Sequence, residues 1–267
     1  TVTISGDTTL EDGADLITAS AGTSNTRIGV NTGNSITSGG NYNVLVGDEA
    51  GTAITTGDSN VAIGFKALFT EDAHGTNVAI GDSALRNLNA GANAYNTAVG
   101  NEAGTAMTTG IKNTIVGGLA GDALTDADEN VAIGVSALGA DTLGSKTTAI
   151  GQGALQSQNF TTATDTYNVA VGFSAGNQVT TGIYNTLTGG LAGDALTDAD
   201  YNVATGYLAL TADTLGSRSV AIGAVALAAQ NFTTATDAYN VAVGAFAGAA
   251  VTTGIVNTLI GGLAGDS

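Results

Sequence analysis

The single histidine of the chain lies beside two acids, in the sequence Glu71-Asp72-Ala73-His74-Gly75. An imidazole next to a carboxylate can act as a general base. However, no nucleophilic side chain recurs with this group in the sequence. We therefore interpret His74 as part of a solvated loop and predict no catalytic residues in the chain.

Two acidic runs place Asp at alternating positions, and both could bind a cation. They are Thr125-Asp126-Ala127-Asp128-Glu129 and Thr197-Asp198-Ala199-Asp200. Carboxylate oxygens at this spacing are ligands that Ca²⁺ accepts. The same residues are also typical of turns, in which Asp side chains accept hydrogen bonds from backbone amides. We favour the turn and keep Ca²⁺ as the alternative, so the metal ligands stay unknown and no other cofactor is expected.

A glycine-rich string resembles a known calcium-binding repeat only superficially. Gly117-Gly118-Leu119-Ala120-Gly121-Asp122 has its third glycine one place too late for the G-G-x-G-x-D pattern. That pattern also recurs every nine residues in calcium-binding β-helices, which does not fit the longer period described below. We treat the likeness as accidental.

Composition excludes several classes of protein. The 267 residues include 40 Gly, no Cys, no Pro and no Trp, with 6 basic against 23 acidic residues and a formal charge of -17. Without Cys there is no disulfide framework or thiolate zinc site. The negative charge disfavours nucleic acid and anionic membranes as partners, and no run of 18 apolar residues predicts membrane insertion.

The elements that must position these residues follow from an internal repeat. Each repeat contains an anchor glycine within the unit N-[VT]-x-[IVT]-G-x-x-A-[LG], as in Asn60 to Leu68. Most anchors are 17 residues apart, and the others are separated by 18, 19 or 21 residues. The anchors are Gly29, Gly47, Gly64, Gly81, Gly100, Gly117, Gly134, Gly151, Gly172, Gly189, Gly206, Gly223, Gly244 and Gly261.

A longer repeat is superimposed on the short one. Four residues after the anchor, pairs of Gly alternate with pairs of Leu, so four coils form a block of about 72 residues. Residues 113–184 and 185–256 are identical at roughly seven positions in ten, which indicates duplication of a block. We divide the chain into a repetitive domain, 25–267, and an atypical N-terminal segment or cap, 1–24. Because the sequence does not begin with Met, we expect it to be a segment of a longer protein.

This repeat predicts an all-β fold, a parallel β-solenoid of about 14 coils with 17 residues each. The sequence N-V-A-I-G is typical of a short strand followed by a glycine corner. We call a coil Gly-type when the residue four after its anchor is glycine. In these coils an apolar residue recurs seven positions after the anchor, and we interpret it as part of a second strand. Stacked coils about 4.8 Å apart would form a rod roughly 65 Å long, with the recurring Asn forming a ladder.

The two faces of the predicted strand are both apolar, which suggests that both are buried. We expect the β-branched residues, such as Ile133, to fill the coil, and Asp141 to lie in an adjoining loop where it adds little stability. The other face, two residues before the anchor, carries Leu45, Ile115, Leu187 and Leu259. We expect this stripe to be covered by identical chains in a homo-oligomer.

These repeats resemble those in the heads of YadA-like trimeric autotransporter adhesins, and similar repeats occur in trimeric bacteriophage tail fibres. The resemblance rests on Asn60 to Leu68, Asn77 to Leu85 and Asn130 to Leu138, and it extends over residues 25 to 265. Coils of 17 residues are longer than those typical of the adhesins. The resemblance implies a left-handed β-roll, a homotrimeric rod, an extracellular location and a role in surface attachment.

We accordingly predict a non-enzymatic fibre segment on a virion or cell surface, with a possible receptor or glycan as its partner. A phage-type tail fibre is favoured, because near-identical long blocks occur without adhesin landmarks; a bacterial trimeric autotransporter adhesin head is the alternative. A polysaccharide-degrading tailspike is a further alternative, disfavoured because the acids lie in repeated turns and few aromatic side chains could stack on sugars. Phe160 and Phe232 lie in the loops 156–167 and 228–239. We expect them to pack across a subunit boundary, and exposure for binding is the alternative.

Overall fold

One parallel sheet runs through the whole of the computed structural model, which describes residues 21–266. Most of the predicted segment 1–24 therefore lies outside the described residues. In the described range, 14 strands of three residues, each ending just before an anchor glycine, pair in chain order. The strands are β1 Thr26–Ile28, β2 Val44–Val46, β3 Val61–Ile63, β4 Val78–Ile80, β5 Thr97–Val99, β6 Thr114–Val116, β7 Val131–Ile133, β8 Gly144–Ser145, β9 Thr148–Ile150, β10 Thr164–Asp165, β11 Val169–Val171, β12 Thr186–Thr188, β13 Val203–Thr205, β14 Gly216–Ser217, β15 Val220–Ile222, β16 Thr236–Asp237, β17 Val241–Val243 and β18 Thr258–Ile260.

The pairing register places equivalent repeat positions opposite one another. Ala62 pairs with Ala79, and Ile63 pairs with Ile80. Two smaller parallel pairs, β8 with β10 and β14 with β16, form beside the 21-residue coils. The prediction of an all-β parallel solenoid with about 14 coils is confirmed.

The predicted second strand was wrong. Within residues 21–266, the positions seven after the anchor are in no strand. Their side chains are nevertheless mostly buried, as at Ile54 and Leu124. In the coils with glycine four after the anchor, each follows a tight turn that begins at that glycine, which has positive φ; the carbonyl of Gly51, for example, accepts a bond from Ile54 N at 3.2 Å. In these coils the chain therefore completes its circuit through turns. Single backbone amides of the turns donate hydrogen bonds to the neighbouring coil.

The assignment of the two strand faces was also wrong. The middle residue of the strand, two before the anchor, points into the coil: Ala132 and Leu45 are fully buried. The β-branched residues on either side of it, such as Val131 and Ile133, face outward and are partly exposed. The stripe predicted to need an external cover is thus covered by its own coil.

Side-chain volume explains this orientation. Where the residue four after the anchor is glycine, large inward side chains occupy the space that it leaves. A Cβ added to Gly51 would lie 2.9 Å from Leu45 Cδ2 and 2.8 Å from Ile54 Cδ1. Where that residue is Leu, as at Leu68, the inward strand residue is the small Ala62. The alternation of Gly and Leu pairs therefore keeps the packed volume of the narrow interior nearly constant.

The predicted Asn ladder is confirmed, and it is buried. Asn113 Oδ1 accepts from the backbone N–H of Asn130 at 2.9 Å, and Asn113 Nδ2 donates to the carbonyl of Ala127 at 2.8 Å. Most ladder Asn side chains thus bond to backbone groups of the next coil, rather than mainly to the next side chain. Since buried backbone groups are costly to leave unpaired, the ladder connects successive coils.

Candidate functional site

His74 lies in the one cluster of possible metal-ligating groups within residues 21–266, together with Glu71 and Asp72. The ligand atoms of the three side chains are within 4.8 Å of one another. Glu71 is fully buried, and its Oε1 lies 3.6 Å from His74 Nδ1. The side chain of His74 is 30% exposed and lies outside the strands, so this loop is partly solvated, with Glu71 beneath it.

Backbone amides hold Glu71 at the corner of its coil. His74 N donates to Glu71 Oε1 at 3.2 Å, and Ala90 N donates to Oε2 at 3.4 Å. Burial raises the pKa of Glu71, and these two hydrogen bonds and the nearby His74 oppose that shift. A carboxyl that accepts hydrogen bonds from backbone amides and lies beside an imidazole can pair with His74 or help to bind a cation.

Two further buried carboxylates, Asp141 and Asp213, lie at the same coil position as Glu71. Asp141 Oδ1 accepts from Gly144 N at 3.1 Å and Phe160 N at 3.0 Å, and Oδ2 accepts from Gln158 Nε2 at 2.6 Å. Asp213 makes the equivalent bonds in the next block. Asp141 does lie outside the strands, as expected, but its full burial and three hydrogen bonds argue against the expectation that it adds little stability.

The glutamine beside each of these aspartates repairs a gap in the Asn ladder. The ladder is interrupted at Thr147, where Gln158 Nε2 donates to Thr147 Oγ1 at 3.1 Å. Gln158 Oε1 accepts from Asn168 Nδ2 at 2.9 Å. The sequence contains a signal for this replacement. Both exceptions to the Asn column, Thr147 and Ser219, precede the duplicated string QNFTTATD. The buried network is structural.

The acidic turns bond to the preceding coil, as the turn interpretation predicts. Asp128 Oδ1 accepts from Ile111 N at 2.8 Å, and Asp200 Oδ1 accepts from Ile183 N at 2.7 Å. Asp198 accepts from the Thr181 hydroxyl at 2.7 Å. Each of these carboxylates thus supports the stacking of coils, and binding of Ca²⁺ at these turns stays a hypothesis.

The two long-loop phenylalanines pack within their own chain. Phe160 and Phe232 are each 7% exposed. A Cβ added to Gly216 would lie 2.7 Å from the ring of Phe232. Both rings are therefore buried without a second subunit, so the expectation of packing across a subunit boundary was wrong.

Exposed apolar groups instead follow one side of the rod. Within residues 21–266, the large hydrophobic side chains that are exposed all lie between six residues before and two residues after an anchor glycine. At the centre of this side is the sheet face, defined by the first and third residue of every three-residue strand. In all 14 coils these positions are Val, Ile or Thr. We call this surface the β-branched face.

A tyrosine stack borders the β-branched face. The rings of Tyr167 and Tyr184 are 5.6 Å apart, and those of Tyr184 and Tyr201 are 4.9 Å apart, nearly parallel in both pairs. Lys146 lies over the ring of Tyr167, and Arg218 lies over that of Tyr201. Because the rings cover one another, mainly their edges and hydroxyls are exposed, which leaves little room for a sugar to stack on them.

Comparisons with protein families, with curated proteins and with solved structures find no match to this chain. Within residues 21–266, no helix is long and apolar enough to span a membrane. The functional argument therefore depends on the geometry described above.

Proposed function

We propose that this chain is a non-enzymatic, homotrimeric segment of an extracellular fibre that projects from a virion or cell surface and supports attachment to a host. The observation that carries the proposal is the β-branched face. It has 28 outward positions and no charged residue among them, although the chain has 23 acidic residues. A strip of Val, Ile and Thr side chains that runs the length of the sheet without a charge is unusual on a monomer and is typical of an interface.

Periodicity favours a second copy of the same chain as the cover for this face. The face repeats once per coil, every 4.8 Å or so. A partner that packs along all 14 coils must repeat at the same interval, and an identical solenoid does so automatically. Three copies around one axis would give a rod with its turns exposed; the number three comes from the resemblance to trimeric adhesins and tail fibres. A phage-type fibre remains favoured over the bacterial adhesin head.

Light scattering coupled to size exclusion tests the assembly. We expect wild type and Ala163→Asp, a control in an exposed loop, to elute as trimers. Ile133→Asp should give folded monomers, because it introduces a charge on the β-branched face but leaves the coil interior intact. Ala132→Asp should fail to fold, since Ala132 is fully buried. A soluble wild-type monomer, or unchanged assembly of Ile133→Asp, would contradict the proposal.

A further inference from the structure

An open cleft of about 210 Å³ lies in the strip of coil that follows the anchor glycine, at the edge of the exposed apolar side to which Leu119 belongs. It spans the three coils that contain β6, β7 and β9. One apolar, several polar and two small residues line it. They are Leu119, Asp122, Ser136, Gly139, Ala140 and Gln156.

The cleft exists because Gly139 has no side chain. Asp122 is at the equivalent position one coil before Gly139, and Gln156 is at the equivalent position one coil after it. A Cβ added to Gly139 would lie 3.4 Å from Asp122 Oδ1 and 3.3 Å from the Ser136 carbonyl oxygen. Gly139 does not have a positive φ, so its backbone would accept another residue. The missing side chain is therefore not required by the fold.

The duplicated block shows the same position filled. Its equivalent of Gly139 is Thr211, whose hydroxyl donates to Asp194 Oδ1 at 2.5 Å. Asp194 is in turn the equivalent of Asp122. The block also replaces Ser136 by Leu208 and Gln156 by Ala228. Two near-identical blocks thus differ at this strip: one has a glycine and an open cleft, and in the other Thr211 fills the equivalent position and bonds to Asp194.

Some of the hydrogen-bonding capacity around the cleft is not used by any residue that the structure describes. Within residues 21–266, Asp122 receives a hydrogen bond from its own backbone amide and from no other residue. Burial and the nearby Glu102 raise its pKa. Asn177 Nδ2 donates to Gln156 Oε1 at 3.1 Å and orients that side chain, and no described residue accepts from Gln156 Nε2. An acceptor and a donor therefore border the gap, with Leu119 as an apolar wall.

We propose that this cleft binds one neutral sugar unit of a surface glycan, with a sugar hydroxyl donating to Asp122 in the way that Thr211 donates to Asp194. Gln156 Nε2 donates to a second sugar oxygen, and Leu119 contacts the C–H surface of the ring. The volume suits one ring rather than a chain of sugars. This inference rests on the proposed role in attachment and names the ligand class and the site.

Saturation-transfer NMR with methyl glycosides of glucose, galactose, mannose and N-acetylglucosamine tests the proposal. One ring of about 12 to 15 non-hydrogen atoms is expected to bind with a millimolar Kd. We expect at least one glycoside to receive saturation from wild type. Gly139→Thr, which copies the duplicated block, should reduce binding at least about tenfold, and Asp122→Asn should weaken it as well. Thr211→Ser, which keeps the hydroxyl that donates to Asp194, is the matched control and should bind like wild type.

Light scattering on the same samples separates this proposal from the proposed function. Trimers of wild type that saturate none of the glycosides, or Gly139→Thr that binds as well as wild type, would overturn the sugar site and leave the fibre assignment intact. Binding of the glycosides by a wild-type monomer would support the cleft and contradict the trimer.

Discussion

Three buried carboxyl groups occur at one repeat position, and each accepts hydrogen bonds from backbone amides. Glu71, Asp141 and Asp213 all lie seven residues after an anchor glycine, where the Gly-type coils have an apolar side chain. A buried charge is tolerated only when donors surround it. Asp141 and Asp213 each have two amides and a glutamine, whereas Glu71 has two longer amide contacts and His74. These positions should therefore respond differently to substitution.

Replacing Asp141 with Asn should destabilise the rod by about 2–3 kcal/mol, because its new amide would face the Gln158 amide, donor against donor. The urea midpoint of unfolding measures the effect. Asp141→Asn combined with Gln158→Glu restores a donor–acceptor pair and should recover much of the loss. Equal midpoints for wild type and Asp141→Asn would show that the buried network contributes little.

Glu71 should make stability depend on pH in the mildly acidic range. Burial raises its pKa above the ordinary value of 4.5, so between pH 4.5 and the raised value the folded state binds more protons than the unfolded state. The free energy of unfolding therefore falls as pH rises through that window. Compared with Glu71→Gln, wild type should lose stability as the pH rises above 4.5. A constant difference between the two proteins would contradict this assignment.

At the scale of the structural element, the coil depends on a corner that brings two backbones into contact. The anchor Gly117 has φ +135, and a Cβ on it would lie 2.5 Å from the carbonyl oxygen of Gly134. That conformation is essentially restricted to glycine. The corner of each coil thus lies against the corner of the next coil, so the strand, the corner and the Asn ladder must all keep the same register.

Gly117→Ala should cost at least about 3 kcal/mol or prevent folding, because both the backbone angle and the contact with Gly134 exclude a methyl group. Gly139→Ala, in the same block but at an ordinary backbone angle, should change stability by no more than about 1 kcal/mol. Thermal unfolding of the two variants compares them directly. Similar melting temperatures would mean that the corner is less constrained than its contacts indicate.

At the scale of the whole molecule, each coil pairs only with the coils before and after it, so stability is approximately a sum over neighbouring coils. The main sheet has no interruption from β1 to β18. The rod should therefore tolerate a change in its number of coils if the register of Asn, strand and corner is kept.

Deletion of residues 185–256 removes four coils and joins Tyr184 to a near copy of the sequence that follows it in wild type. We expect a folded protein whose rod is shorter by about 19 Å. Small-angle scattering gives the length. Deletion of 185–248 breaks the register and should give an unfolded or aggregated product. If both deletions folded equally well, register would not govern stacking.

The repeat in the sequence was sufficient to predict the parallel solenoid, its number of coils and its Asn ladder. Those features depend on positions that recur every 17 residues, and any stacking in register must align them. Residues that interrupt the repeat were harder to place. Asp141 appeared to be an ordinary loop acid, because its partner Gln158 is 17 residues away and comes into contact only when the coils stack.

The tertiary structure alone decided which strand face is inside. Both faces are apolar, so alternation in the sequence could not distinguish them. The choice depends on volume: Leu45 fills the space left by Gly51, and Ala62 leaves room for Leu68. The same holds for the cleft at Gly139, which is a single glycine in the sequence and becomes a cleft only because Asp122 and Gln156 lie on either side of it in neighbouring coils.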